Sequence, residues 1–119
     1  MDLNHTIVPA KDKVASAQFF ADVMGLRFEG MAGHFAPVRV NDSLTMDFDD
    51  AENPASHHYA FHVTDAEFDS IFSRVKEKGL AYGSGPRSQD DMAINERRGG
   101  RGFYFRDPNG HSLELLTRF

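Results

Sequence analysis

The stretch His58-Tyr59-Ala60-Phe61-His62-Val63-Thr64-Asp65-Ala66-Glu67 changes period partway along. Up to Val63 the residues alternate: Tyr59, Phe61 and Val63 form one apolar face, and His58, Ala60 and His62 the other. That is the mark of a half-buried strand. Thr64-Asp65-Ala66-Glu67 then reads as a capping box, in which the threonine and glutamate side chains each satisfy a free N–H at a helix start. The helix that follows carries Phe68, Ile71, Phe72 and Val75 on one face. Lys76 and Lys78 suit its negative end, and Gly79 closes it.

Downstream, Leu80-Ala81-Tyr82 leads into a polar segment, Gly83 to Gly100, longer than the usual connection and therefore a candidate lid. A hairpin closes the half: Gly102 to Arg106, the turn Asp107-Pro108-Asn109-Gly110, and Ser112 to Thr117. Upstream, the same order occurs. Leu3 to Val8 is strand-like and ends at Pro9, and Asp12 caps a helix with Val14, Ala17, Phe20, Ala21 and Met24 at helical spacing. Gly25 stands at its end. Three short strand-like runs follow, Leu26 to Glu29, His34 to Val40 and Leu44 to Phe48. Gly79-Leu80-Ala81-Tyr82 answers Gly25-Leu26-Arg27-Phe28, and His58 answers His5.

The chain therefore reads as a duplicated β-α-β-β-β unit. One helix protects one face of such a sheet, so two units must combine to cover or use the other. The expected fold is α+β: a single domain over residues 1–119 made of two βαβββ modules, about 1–50 and 57–119, forming a curved eight-stranded trough with the helices outside. The abundant phenylalanine, 11 residues, fits packing of that core.

Composition narrows the function. Thirteen Lys+Arg against 18 Asp+Glu give a net charge of -5, and no basic run exceeds Arg97-Arg98. Nucleic acid and anionic membrane surfaces are poor partners for such a chain. With no cysteine, disulfides and thiolate ligands are excluded, and any metal must be held by histidine and carboxylate. No leader-like or membrane-spanning stretch is present, so a cytoplasmic location is expected.

Alternation selects the residues that face the trough. His58 and His62 point the same way, as do Ser112, Glu114 and Leu116 on the last strand, opposite to Leu113 and Leu115. The repeat puts His5 where His58 stands. Taken singly, His5 reads as well as an exposed terminal histidine, and Glu114 as a charge protecting a sheet edge. Together, two imidazoles and one carboxylate suit Fe, Mn, Co, Ni or Zn with open positions for substrate oxygens. Asp47 lies on the first-half strand that corresponds to the Glu114 strand, as a fourth ligand, a base, or one acid of a solvated turn. His62 and Tyr104 are candidates for acid–base or supporting roles, with ordinary core readings equally open. Arg101, after the glycine pair, is a candidate contact for an anionic substrate, whereas Arg97 and Arg98 read as a solvated loop.

Leu3-Asn4-His5, the helix from Phe19-Phe20 to Met24-Gly25-Leu26, His58-Tyr59-Ala60-Phe61, and Phe103-Tyr104-Phe105-Arg106-Asp107-Pro108-Asn109-Gly110-His111-Ser112-Leu113-Glu114-Leu115 together resemble the vicinal oxygen chelate superfamily. That superfamily includes glyoxalase I, extradiol dioxygenases, fosfomycin-resistance thiol transferases and metal-free bleomycin-binding proteins. The resemblance implies His5, His58 and Glu114 as ligands to a divalent metal, and aligns Asp47 with a fourth-ligand glutamate of glyoxalase I. It also implies a small substrate that chelates through adjacent oxygens, turned over by glyoxalase-like lyase or isomerase chemistry or by extradiol-type dioxygenation, in a homodimer. Ile7 stands where the fosfomycin enzymes carry a threonine, which argues against that substrate. The alternative is a metal-free drug-binding protein of the bleomycin-resistance type.

Overall fold

The computed structural model describes residues 1–119, which divide into two compact units, Met1–Ala55 and Ser56–Phe119. No helix is long and apolar enough to cross a membrane.

The first unit contains β1 (His5–Ala10), α1 (Lys13–Met24), β2 (Ala36–Arg39) and β3 (Thr45–Asp50), with sheet order β1-β3-β2. β1 runs parallel to β3, and β2 antiparallel to it. Pro9 does not end β1 as expected; it sits inside it, opposite Asp49. The strand tolerates proline because β1 is an edge and pairs on one side only. Asp12 caps α1 by accepting from the Ala15 N–H at 3.1 Å, and Gly25 ends it at φ 72°. The buried stripe of α1 is Ser16, Ala17, Phe20, Ala21 and Val23, and Val14, one of the apolar residues at helical spacing, is exposed. Phe20 packs on Phe48 with ring centroids 5.7 Å apart. Val8, Ala10, Met46 and Phe48 thus face the helix, and His5, Ile7, Thr45 and Asp47 face the other way.

In the second unit, β4 (His58–His62), α2 (Asp65–Glu77), β5 (Tyr82–Gly83), β6 (Gly102–Arg106) and β7 (Ser112–Leu116) form a sheet of order β4-β7-β6-β5. β4 is parallel to β7, while β6 is antiparallel to both β7 and β5. The capping box forms in both directions: Glu67 N–H donates to Thr64 Oγ1 at 3.1 Å, and Thr64 N–H to Glu67 Oε1 at 2.9 Å. Gly79 follows α2 at φ 66°, the conformation that an ending helix asks of glycine. Phe68 and Phe72 from α2, Tyr82 from β5, and Phe103 and Phe105 from β6 make one aromatic core, with Phe68 edge-on to Phe103 at 5.3 Å.

The two sheets hold seven strands, three and four, rather than eight. The missing one is the expected strand Leu26 to Glu29, which contributes a single bridge, Phe28 opposite Val38. Its chain leaves the sheet direction at Gly30, φ 100°. The corresponding β5 of the second half is only two residues long.

Candidate metal and substrate site

Glu114 lies on β7, between β4 and β6, so it is an inner-strand carboxylate and not an edge charge. Its Cα partners are Ala60 on one side and Tyr104 on the other. A carboxylate placed there needs partners, because its side chain is only 14% exposed. His58 supplies one: its Nε2 lies 2.9 Å from Glu114 Oε1, and its half-exposed ring leaves the pair reachable. Parallel pairing puts His58 opposite Ser112 and Ala60 opposite Glu114. The small Ala60 side chain leaves the imidazole room to lean toward the carboxylate.

The Tyr104 hydroxyl is carried by the residue opposite Glu114 in the β6–β7 register. Burial raises its pKa; the bond from Arg97 works the other way, and the Glu114 charge adds to the rise. Arg97 Nη1–H donates to Tyr104 Oη at 2.9 Å. His58, Glu114, Tyr104 and Arg97 form one polar cluster on the face of the sheet opposite α2.

Arg97 arrives there because the long segment after β5 is laid back over that face. Gln89 Nε2–H donates to Ser112 Oγ at 3.1 Å, Arg106 Nη1–H to Asp90 Oδ1 at 2.9 Å, and Asn95 exchanges backbone bonds with Gly102 at 2.8 and 3.0 Å. Tyr104, Arg106 and Ser112 share the open face by register. Ser84 binds the Asp91 carboxylate through both its N–H and its hydroxyl, which holds the Asp91 pKa low. Gly83 has to be glycine here, since a Cβ would collide with the Ser88 carbonyl. The segment is therefore an ordered wall beside the cluster.

The remaining expected residues are placed as follows. His5, on β1 of the first unit, has Nδ1 2.8 Å from Asn4 Oδ1. An amide oxygen there sets the Nδ1–H tautomer and leaves the Nε2 lone pair available. Asp47 faces the open side of β3, opposite Ile7, and no hydrogen bond to its side chain is formed. His62 Nε2 meets the Thr117 carbonyl at 3.2 Å, and its ring packs edge-on against Phe119 at 4.7 Å, at the far end of β4 from His58.

Arg101 is placed differently from its sequence reading. It lies on the α2 side, donating to Asp69 Oδ1 at 2.7 Å and Asp65 Oδ1 at 3.0 Å, with its guanidinium 4.3 Å from the Phe68 ring centroid. Asp69 and then Asp65 raise its pKa. The arginine that reaches the polar cluster is Arg97, which the sequence presents as a solvated loop residue. Nothing periodic in Gly83 to Gly100 marks it; the Asn95–Gly102 bridge is what brings it over.

His58 and Glu114 suit a divalent cation as donors. In the structure they meet as a hydrogen-bonded pair, Nε2 to Oε1 at 2.9 Å. Within neither unit do three His, Asp or Glu side chains gather at one point. A complete site needs at least one further donor.

Residues 2–115 match the Glyoxalase/Bleomycin resistance protein/Dioxygenase superfamily. Among solved structures, the chain is similar to oxidase ChaP-H2, with 47% identity, a TM-score of 0.95, and coverage of 100% of this chain and 94% of that one. Oxidase ChaP-H1 is 46% identical, also at TM-score 0.95, with 100% and 97% covered. A more distant relative is glutathione transferase FosA from Serratia marcescens, 28% identical over 95% of this chain and 78% of its own length.

Proposed function

Because the chain belongs to the Glyoxalase/Bleomycin resistance protein/Dioxygenase superfamily, we propose that it is a divalent-metal enzyme that uses dioxygen to oxidise a small substrate bearing two adjacent oxygens, such as a catechol or hydroxycarbonyl. The observation that carries this reading is the His58–Glu114 donor pair, 2.9 Å apart on an open sheet face. The identity to two proteins named oxidases, over the full chain, favours oxidation over thiol transfer.

In this proposal His5, His58 and Glu114 are the metal ligands, and the protein acts as a homodimer. When bound, the ion supplies Lewis acidity that lowers the pKa of a coordinated hydroxyl and offers open positions to substrate and oxygen. The protein's own part is to orient and to exclude water. Asp47 serves as a base for a substrate proton. The Tyr104 hydroxyl and the wall from Ser84 to Arg97 bound the site on one side. His62, bonded at the far end of β4, and Arg101, engaged with α2, take no part in the chemistry.

The test is metal analysis of protein purified without chelators, then reconstitution with Fe(II), Mn(II), Co(II), Ni(II) or Zn(II), and oxygen-electrode assays on a catechol panel. Metal uptake, a raised melting temperature and oxygen consumption are expected. Undiminished turnover under anaerobic conditions would replace oxidation with glyoxalase-like lyase or isomerase chemistry. Absence of any metal-dependent stabilisation would overturn the enzyme reading in favour of small-molecule binding without chemistry. Sedimentation showing only monomer at micromolar concentration would remove the dimeric version.

A further inference from the structure

We propose that Arg97 is an anion subsite beside the His58–Glu114 pair. It takes a carboxylate that the substrate carries away from its two adjacent oxygens, so that acidic substrates are preferred over neutral ones. This rests on the reading of His58 and Glu114 as the groups that hold the metal and, through it, those oxygens.

Arg97 is a cation without an anion. None of the ion pairs in the structure includes it, and its chain neighbour Glu96 forms none either. Its side chain donates only to neutral oxygens, from Nη1–H to Tyr104 Oη at 2.9 Å and from Nη2–H to the Ser84 carbonyl at 3.3 Å. Other arginines around the second sheet are neutralised, Arg106 by Asp90 and Arg101 by Asp65 and Asp69. Nearby carboxylates are engaged as well, Glu114 with His58 and Asp91 with Ser84. A guanidinium has five N–H donors and no acceptor, so Nε–H and one hydrogen on each terminal nitrogen remain for a ligand.

Arg87 and Arg98 are equally exposed and also lack an ion pair, but Arg97 is anchored. Besides its two side-chain bonds, its backbone N–H donates to Asn95 Oδ1 at 3.2 Å and its carbonyl accepts from Gly100 N–H at 3.0 Å. A side chain already held gives up less freedom when it binds. Tyr104 sets the distance to the metal-holding pair. Its ring is buried, with the His58 ring centroid 5.8 Å and the Arg97 guanidinium 5.7 Å from its own centroid. His58 and Arg97 both stay open to solvent beside it. A ligand of one or two aromatic rings, held by its adjacent oxygens at His58 and Glu114, can therefore reach the guanidinium with a carboxylate, which the arginine fork matches in shape and charge. The chain as a whole, at net charge -5, repels anions, so an acidic ligand depends on such a local cation. Were Arg97 only a staple for the wall, its loss would weaken acidic and neutral ligands alike.

The experiment is calorimetry on the Mn(II)-loaded protein with catechols that carry a carboxylate on the ring (protocatechuate) or through one methylene (homoprotocatechuate), each against its neutral amide. At least one acid is expected to bind about tenfold tighter than its amide at low salt, with the preference shrinking at high salt. Arg97→Met should bring the acid-to-amide ratio within about twofold of one, while Arg97→Lys keeps the charge, loses the fork and retains part of the preference. A wild-type preference below about threefold for both acids, the range of an ordinary exposed ion pair, overturns the proposal, as does a preference that survives in Arg97→Met. Thermal melts check folding; if Arg97→Met does not fold, a full wild-type preference in Arg97→Lys overturns it instead. If the protein takes up no Mn(II), or the loaded protein binds none of the four compounds, the functional reading fails, and the subsite is decided on metal-free protein. There benzoate, and not benzamide, is expected to shift the Arg97 ¹⁵Nε resonance to saturation, and a shift with both or with neither overturns the subsite.

Discussion

The two halves of the chain follow one order of elements and place a histidine and a carboxylate at matching points of their sheets, yet only the second half joins them. In the first, His5 stands opposite Thr45 and Asp47 opposite Ile7. In the second, His58 stands opposite Ser112 and Glu114 opposite Ala60. Backbone pairing is equivalent; side chains decide the difference. Ile7 fills the position beside Asp47, whereas Ala60 leaves space beside Glu114, and Asp is one methylene shorter than Glu. On the other flank Asp47 faces Pro37, which has no polar group, and Glu114 faces Tyr104. Duplication sets positions, and local bulk and reach determine which copy makes a polar centre.

The largest expected effect separates the two carboxylates. Glu114→Ala should lower Mn(II) affinity by about 100-fold or more, beyond the loss typical of a merely supporting residue, while Asp47→Asn should change it by less than about tenfold. Ala60→Ile, which gives the second half the first half's residue, should weaken binding as well. Calorimetry on the three variants checks this, and equal losses at Asp47 and Glu114 would erase the distinction drawn between the halves.

Core packing gives the next contrast. Phe103 is fully buried within the aromatic cluster of the second unit, whereas Phe20 of α1 pairs with Phe48. Phe103→Ala should cost about 4–5 kcal/mol and Phe20→Ala about 3 kcal/mol in urea unfolding. A reversed order would show that the first unit carries the more tightly packed core.

The smallest effect compares helix starts. Thr64→Ala removes one half of a reciprocal box and strands the other, so about 1–1.5 kcal/mol is expected. Asp12→Ala removes a single bond, at about 0.5–1 kcal/mol. Thermal melts of both variants measure the gap.

Much of this architecture is legible in the chain. The capping box at Thr64, the left-handed glycines at 25, 79 and 110, and the alternation that puts Tyr59, Phe61, Leu113 and Leu115 on the helix side depend on neighbours a few residues away. Such features follow from local backbone geometry. The strand expected at Leu26 to Glu29 reduces to one bridge, because pairing, not propensity, decides whether a short run joins a sheet. Val14 shows the same limit on α1: helical spacing alone does not say where the buried stripe ends.

What the sequence determined by itself is the order of elements, the duplication, and which residues occupy the open faces, among them His5, Asp47, His58, Tyr104 and Glu114. Tertiary structure decided which of them meet. The β4–β7 pairing joins segments distant in the chain with no tight turn to set their register, and that register brings His58 to Glu114. Folding of the segment after β5 decided that Arg97, and not Arg101, would reach Tyr104. Alternation is a local property of an extended backbone; contact between strands and loops depends on non-local hydrogen bonds that no short stretch of sequence encodes.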